Sequence, residues 1–125
     1  MTAYKKYLDK IADNARAFGN PVLFVNGDSH VFRSDNPFQK GAPCFIESAP
    51  GAAAVQCAAG LMPNGNLVDP YDTQPNGYDV PNLHRIVVHG SAVPMEWLKL
   101  TIDPTANAPR GADAFGPFSW RRYQP

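Results

Sequence analysis

The sequence predicts one α/β domain built on a mixed β-sheet. Three observations favour this fold class: an amphipathic helical pattern near the N-terminus, an unbroken apolar run at 21–25, and two alternating runs at 83–89 and 95–102. A chain of 125 residues is long enough to bury a core and is typical of a single domain. We therefore expect one helix, a buried central strand, a long loop rich in proline and glycine, and a C-terminal β-hairpin.

The helix is predicted between residues 4 and 18. Apolar residues recur there at steps of three and four, as on one face of an α-helix: Tyr4, Tyr7, Leu8, Ile11, Ala15 and Phe18. Thr2 is a suitable N-cap, Gly19 is suitable just beyond the C-terminus, and Pro21 prevents continuation. The helix therefore leads directly into the next element.

The apolar run Pro21–Val25 predicts the central strand, buried on both faces. It ends in a polar turn that carries an acid, a hydroxyl and an imidazole: Asp28, Ser29 and His30. In an open α/β sheet, groups beyond the carboxyl end of a strand line the crevice where ligands bind. Residues 1–33 therefore form the helix and central strand, and their last turn is the first place to expect a functional site.

Residues 34–82 show no sustained period, and we interpret them as a long loop or a family-specific insertion. Ser34-Asp35-Asn36-Pro37 begins this segment as a turn. A disulfide between Cys44 and Cys57 would shorten an otherwise unanchored loop, and two free, partly buried thiols are the alternative. The disulfide favours a periplasmic or extracellular location over the cytoplasm.

Residues 83–125 form the third part of the predicted domain. The alternating runs at 83–89 and 95–102 are joined by a short loop of glycine and proline, which is typical of a β-hairpin. A brief alternation at 118–120 predicts an additional edge strand. Helix, buried strand, long loop and hairpin together give the expected mixed sheet.

Composition argues against two classes of partner. Eleven lysines and arginines balance 11 aspartates and glutamates, so the formal net charge is zero and no field of one sign attracts nucleic acid or an anionic membrane. No apolar stretch approaches the roughly 20 residues of a membrane span. The first residues lack the apolar centre of a signal peptide. We expect neither nucleic-acid binding nor a membrane span, in a chain that is either intracellular or cut from a longer precursor.

A family resemblance becomes visible at Gly27-Asp28-Ser29-His30. An apolar strand that ends in Gly-x-x-His is similar to the last motif of calcineurin-like metallophosphoesterases, which is Gly-His-x-His. The chain resembles more closely a bacterial branch with Gly-Asp-[Ser/Thr]-His at this point, followed by Ser-Asp-Asn-Pro and by a segment like 81–104. The resemblance spans nearly the whole chain and is weakest in the long loop. It implies part of a metallophosphoesterase-like sandwich.

The resemblance also implies a metal site. His30 falls on the second histidine of the family motif and Asp28 on the first, so both are candidate metal ligands. The expected cofactor is a divalent ion (manganese, iron or zinc), not bound tightly by this chain alone. The other four metal motifs of the family have no counterpart in the sequence. One histidine and one aspartate cannot hold the two ions, roughly 3.5–4 Å apart, that two-metal hydrolysis requires.

The remaining candidate residues have structural interpretations. His84 and His89 are five positions apart on a predicted strand, so they face opposite sides and cannot chelate one ion together. We interpret both as packing or surface histidines. Ser29 is adjacent to His30, but a base on a turn rarely points at its neighbour's hydroxyl, and no third, orienting group is identified. Serine hydrolase chemistry is therefore not expected.

Three functions remain open on the sequence alone. The chain is a C-terminal fragment of a metallophosphoesterase that is inactive alone, a non-catalytic module that self-assembles through its sheet edge, or a phosphoester hydrolase completed by another chain. We also expect a partner, either a second copy in a homo-oligomer or a complementary N-terminal chain. The reason is that the strand at 21–25 is apolar on both faces, and the single helix covers one of them.

Overall fold

The computed structural model describes residues 2–27, 30–57, 77–89 and 96–124, and it is a mixed α/β structure with one helix and two sheets. Its elements in chain order are α1 (Thr2–Phe18), β1 (Val22–Asn26), β2 (Arg33–Asp35), β3 (Phe45–Glu47), β4 (Ala54–Gln56), β5 (Leu83–Val87), β6 (Trp97–Ile102), β7 (Ala114–Phe115) and β8 (Phe118–Tyr123). A five-stranded mixed sheet has the order β1-β5-β2-β3-β4, and a three-stranded antiparallel sheet has the order β6-β8-β7.

The helix lies where the apolar spacing predicts it. Its Leu8, Ala12 and Ala15 are buried against the five-stranded sheet. Gly19 ends the helix in the left-handed conformation, with a φ of 72°, and its N–H donates to the Ala15 carbonyl oxygen at 3.1 Å. In the described part of the chain, no helix has the length and apolarity that crossing a bilayer requires.

The first strand is also confirmed, but its predicted central position is wrong. β1 lies at an edge of the sheet, where it pairs in parallel with β5, Val22 opposite Leu83. Its two faces are only partly covered, and Val25 is 46% exposed. An apolar run alone does not distinguish an edge strand under a helix from a strand with two neighbours. β5, by contrast, lies between β1 and β2, and it buries Leu83, His84, Ile86 and Val87.

The segment 34–82 contains strands where the sequence predicts a loop. β2, β3 and β4 each run antiparallel to their neighbour and complete the five-stranded sheet. Each is only three residues long, too short to show a period. The turn predicted at 34–37 lies two residues later, because Ser34 and Asp35 belong to β2 and are fully buried. It begins at Asn36, whose carbonyl oxygen accepts from the Gln39 N–H at 3.4 Å. Residues 58–76 of the expected loop lie outside the described residues.

A disulfide closes the hairpin of β3 and β4. Cys44 precedes β3 and Cys57 follows β4, so antiparallel pairing brings their Cα atoms to 5.3 Å. Beside the bond, the N–H of Cys57 donates to the Cys44 carbonyl oxygen at 2.7 Å. The hairpin is therefore closed covalently at the end where its strands leave the sheet.

Removing this disulfide with Cys44→Ser and Cys57→Ser is expected to lower the free energy of unfolding by roughly 3 kcal/mol, because the unfolded chain regains the entropy of the closed loop. Urea unfolding of oxidised wild type and of the double variant measures the difference. Wild type in reductant is the matched control and should approach the variant. Two free sulfhydryls on titration of unreduced, denatured wild type would contradict the prediction.

The predicted C-terminal hairpin is wrong in its pairing. β5 belongs to the five-stranded sheet, whereas β6 pairs antiparallel with β8, from Trp97 opposite Tyr123 to Ile102 opposite Phe118. β8 is thus the central strand of the second sheet. The alternation at 118–120 predicts a short edge strand instead, and that position is wrong. All six residues of β6 find opposite residues in β8, and the Trp97 and Tyr123 rings stack with centroids 4.4 Å apart.

The second sheet packs on the face of the first that α1 leaves open. Phe32, Ile86 and Trp120 are buried between the two sheets. His84, Ile86 and Val88 share this face, as their alternation predicts, while Leu83 lies on the helix side. The described residues therefore form three layers: helix, five-stranded sheet and three-stranded sheet.

Candidate functional site

Polar side chains converge at one edge of the five-stranded sheet. β1 and β5 are parallel, so both end at this edge, in Asn26 and Val87. β2 is antiparallel to β5 and β3 is antiparallel to β2, so β3 also ends there, in Glu47. His30 precedes β2 and His89 follows β5 on this side. This is the carboxyl edge where α/β sheets bind ligands, and it is the candidate site.

A buried ion network at this edge joins the two sheets. Arg122 Nη2 donates to Glu47 Oε2 at 2.6 Å and to Glu96 Oε2 at 2.8 Å, and its Nε donates to Glu96 Oε1 at 2.8 Å. The side chains of Glu47 and Glu96 are 2% and 3% exposed. Backbone N–H groups of Phe32 and Gly51 also donate to Glu47, at 2.8 and 3.0 Å. Both carboxylates are thus satisfied by protein groups.

The surroundings of Arg122 keep its guanidinium charged. Burial lowers the pKa of Arg122, but the hydrogen bonds and charges of Glu96 and Glu47 outweigh burial, and the pKa is raised. Its Nη1 donates to the Ala52 carbonyl oxygen at 2.8 Å, and the guanidinium carbon lies 4.3 Å from the centre of the Phe32 ring. Arg122 is therefore the cation that both carboxylates share.

His89 lies beside this network as a buried histidine without hydrogen bonds. Its Nε2 is 3.0 Å from Glu47 Oε1, which is an ion-pair distance, and its side chain is 3% exposed. Among the described residues, however, neither ring nitrogen has a partner in hydrogen-bond geometry. We therefore describe the contact with Glu47 as electrostatic, because a short distance without a suitable angle is not a hydrogen bond.

A cavity of about 430 Å³ opens beside the network. Small side chains line much of it, together with one aromatic ring and several polar groups: Phe32, Gly51, Ala52, Ala53, Ala54, Glu96, Ala112, Asp113, Arg122 and Gln124. The volume lies within the range of small-molecule sites. Its two most buried charged groups, Glu96 and Arg122, are nevertheless paired with each other. The cavity is large enough for a small molecule, but its two most buried charged groups bind each other and hold the two sheets together.

A second buried cluster lies around His84. Ser34 and His84 are in contact there, as a catalytic nucleophile and its base would be, but their hydrogen bonds do not suit that chemistry. Arg110 Nη1 donates to His84 Nδ1 at 2.5 Å, so the proton of the neutral ring is on Nε2. His84 Nε2 therefore donates to Ser34 Oγ at 2.8 Å, and Ser34 donates in turn to the Gly111 carbonyl oxygen at 2.8 Å. A serine activated for attack gives its proton to the histidine. The direction of these bonds excludes that role for Ser34.

His84 is a structural histidine between the sheets. It is fully buried, and its ring stacks on Phe115 and on Trp120 with centroids 5.3 Å apart in each case. Burial, together with the charges of Arg110 and Arg85, lowers the pKa of His84 to about 3. The ring therefore stays neutral at physiological pH. The sequence predicts a packing role for it, and its packing partners come from the second sheet.

A third polar pair lies on the helix side of the five-stranded sheet. Asp35 is fully buried and accepts two hydrogen bonds from Arg85, from Nε at 2.8 Å and from Nη2 at 2.7 Å. The two residues are opposite each other on β2 and β5. Arg85 also borders a cavity of about 180 Å³ beneath α1, whose other walls are mostly aromatic and aliphatic. Bidentate pairing commits Arg85 to Asp35 and leaves this cavity largely apolar.

The predicted metal ligands are placed only in part. His30 is exposed and has a φ of 57°, a left-handed conformation uncommon outside glycine. Asp28 and Ser29 lie outside the described residues. An exposed imidazole suits manganese, iron or zinc as one ligand. In the described ranges, however, no three histidine, cysteine or acidic side chains come close enough to hold an ion. The described residues therefore do not complete a metal site.

Sequence reasoning missed the ion network. Glu47 directly follows two apolar residues, Phe45 and Ile46, in a strand of only three residues. Arg122 continues the alternation of Phe118 and Trp120, so it lies on the apolar face of its strand. An arginine on such a face indicates a buried ion pair, because an unpaired buried charge is very costly. That signal could have identified Arg122, but not its partners.

Comparisons of this chain with protein-family models, with curated proteins and with solved structures found no match. Its function is therefore argued from its own residues. Three features of the described residues support the argument: the sheet edge where polar side chains converge, the buried ion network, and the outer strands β1 and β6.

Proposed function

We propose that this chain is the C-terminal part of a calcineurin-like metallophosphoesterase domain and is inactive alone. The observation that carries the proposal is the open side of β1. Within the described ranges, this strand of a parallel pair has a neighbour on one side only. Parallel strands normally lie within larger sheets that are covered on both faces. A further strand from the rest of such a domain would extend the sheet at β1 and cover Val25.

The position of His30 supports the same proposal. It is exposed and lies between β1 and β2 at the carboxyl edge of the sheet, where a second segment of protein can reach it. In the proposed domain, His30 and Asp28 contribute to a site for a divalent ion, and a complementary chain supplies the other ligands. Because these two side chains cannot hold two ions, we propose no hydrolysis by this chain alone.

The disulfide supports an oxidising location for the domain. Cys44 and Cys57 are joined across a hairpin, and such bonds persist mainly in secreted and periplasmic proteins. We therefore place the protein in the periplasm or outside the cell, and expect the bond to be intact in protein isolated without reductant from its natural source.

The isolated chain is expected not to hydrolyse p-nitrophenyl phosphate above the buffer rate with manganese or zinc. Metal analysis after dialysis is expected to find well below one ion per chain. His30→Ala is the control, because residual turnover that is equal in both proteins comes from a contaminant. Turnover that survives repurification and disappears in His30→Ala would contradict the proposal and favour a hydrolase assembled from copies of this chain.

A further inference from the structure

β6 presents an open, largely apolar edge. It is an outer strand of the three-stranded sheet, and among the strands the structure describes it pairs with β8 alone. Five of its six residues are exposed. Three of them are large and apolar, with Trp97 58%, Leu100 41% and Ile102 60% exposed. An uncovered edge of this kind is a template for pairing with another chain.

On the side away from β8, the backbone groups of β6 have no partner strand among the described residues. These groups belong to Leu98, Leu100 and Ile102, whose side chains form the inner face of the strand. Asp103 donates its N–H to the Pro117 carbonyl oxygen on the β8 side at 2.8 Å. Because successive residues of a strand direct their hydrogen-bonding groups to alternate sides, the odd-numbered residues of β6 point to β8. The open side therefore offers the N–H and C=O groups of Leu98, Leu100 and Ile102.

We propose that two copies of this chain pair through β6, antiparallel, around a twofold axis at Leu100. In this register Leu100 lies opposite the partner's Leu100, and Leu98 lies opposite the partner's Ile102. Each opposed pair exchanges both of its backbone hydrogen bonds. The apolar inner faces of the two strands become one continuous stripe, and the same surface serves both copies, as a closed twofold interface requires.

The outer face of the strand accepts the same register. Lys99 lies opposite the partner's Thr101, so no two like charges are directly opposed. Its diagonal neighbours, at roughly 7–8 Å, are the partner's Asp103 and the partner's Lys99, one attractive and one repulsive. The outer face therefore neither stabilises nor destabilises the strand pair strongly, and the contact between the apolar inner faces determines its stability.

The two adjacent twofold registers are less favourable. An axis at Lys99 places two ammonium groups directly opposite each other, which destabilises a strand pair. An axis at Thr101 places Leu98 opposite the partner's Pro104, which has no N–H to donate. Of the three registers, only the one centred on Leu100 avoids opposed lysines and also keeps Pro104 out of the pairs formed by the residues of β6. This inference concerns the second sheet and is independent of the function proposed through β1.

Cysteine cross-linking tests the register in the full chain. Leu100→Cys is expected to form an intermolecular disulfide under mild oxidation, because opposed Cα atoms in a hydrogen-bonded pair are about 5.5 Å apart, within reach of the bond. Lys99→Cys and Thr101→Cys are matched controls on the same strand, whose self-pairs lie diagonally and should not cross-link. Non-reducing electrophoresis is the readout, with wild type as the control for exchange with Cys44 and Cys57.

A cross-link in either control variant in place of Leu100→Cys would overturn the proposed register. Absence of a cross-link in all three variants would overturn the interface.

Sedimentation at micromolar concentration tests the assembly itself. Wild type is expected to sediment at twice the 13.6 kDa of one chain. Leu100→Lys is expected to be monomeric, because it opposes two ammonium groups on the axis. Ser119→Lys adds the same charge to β8, away from the edge, and should remain dimeric. A monomeric wild type would overturn the proposal. A dimer that persists in Leu100→Lys would place the interface elsewhere, the β1 edge included, and would overturn it too.

Discussion

Arg122→Met is expected to lower the free energy of unfolding by roughly 3–5 kcal/mol, because it leaves two buried carboxylates without a counter-charge. The side chains of Glu47 and Glu96 are 2% and 3% exposed, so they depend on protein groups and not on bulk water for their hydrogen bonds. Methionine can still pack on the Phe32 ring, but it has no hydrogen-bond donor. Urea unfolding at neutral pH, followed by tryptophan fluorescence, measures the loss.

Arg121→Met is the matched control for this effect. Arg121 is the adjacent residue of β8, but it is exposed, and its guanidinium lies 5.2 Å from the Tyr123 ring centre. Its replacement is expected to change stability by less than about 0.5 kcal/mol. Adding Glu47→Gln to Arg122→Met should recover part of the loss, because it removes one unpaired charge. A loss below about 1 kcal/mol in Arg122→Met would show that water screens the network.

Acidification is expected to destabilise the chain through His84 by up to about 1.4 kcal/mol per pH unit. Burial lowers the pKa of His84 to about 3 in the folded chain, compared with 6.5 for an ordinary histidine. Between these values the unfolded chain binds a proton that the folded chain excludes. Stability therefore falls as the pH falls through this window, and His84 contributes no pH dependence above it.

The readout for His84 is the slope of stability against pH, not the stability itself. His84→Gln can retain a donor to Ser34 but cannot titrate, so its slope between about pH 6.5 and 5 should be shallower than that of wild type. This interval lies above the usual titration of carboxyl groups. His30 and His89 are present in both proteins, so their contributions cancel in the difference. Equal slopes in the two proteins would contradict the assignment.

Local sequence patterns were sufficient to predict the helix and most of the longer strands, but not to predict which strands pair. The periods that predict α1, β1, β5 and β6 are properties of each segment, and the structure has these elements close to the predicted bounds. Alternation shows which side of a strand is buried, but not which strand lies beside it. A short loop between two alternating runs favours a hairpin. That inference failed because β6 finds a longer, aromatic-rich partner in β8.

The sequence predicts where the site lies, but not which residues form it. The carboxyl end of an apolar strand identifies the edge, and His30 lies there. Glu47 and Arg122 meet there across 75 positions of sequence, and no local pattern reports such a contact. Residues 34–36 have the composition of a turn, yet they are buried. The reason is that groups distant in sequence satisfy their polar side chains: His84 and the Gly111 carbonyl oxygen for Ser34, the Arg85 guanidinium for Asp35, and the Val80 carbonyl oxygen for Asn36.

During synthesis, β1 leaves the ribosome well before the strand that pairs with it. Val22 pairs with Leu83, so about 60 further residues must be made first, which takes several seconds at roughly 5–20 residues per second. Throughout that interval the apolar run Val22–Val25 lacks β5, the strand with which it pairs in the folded chain. Non-local pairing of this kind is slow and exposes strands to aggregation. The nascent chain that lacks β5 is therefore the species that most needs a holdase chaperone.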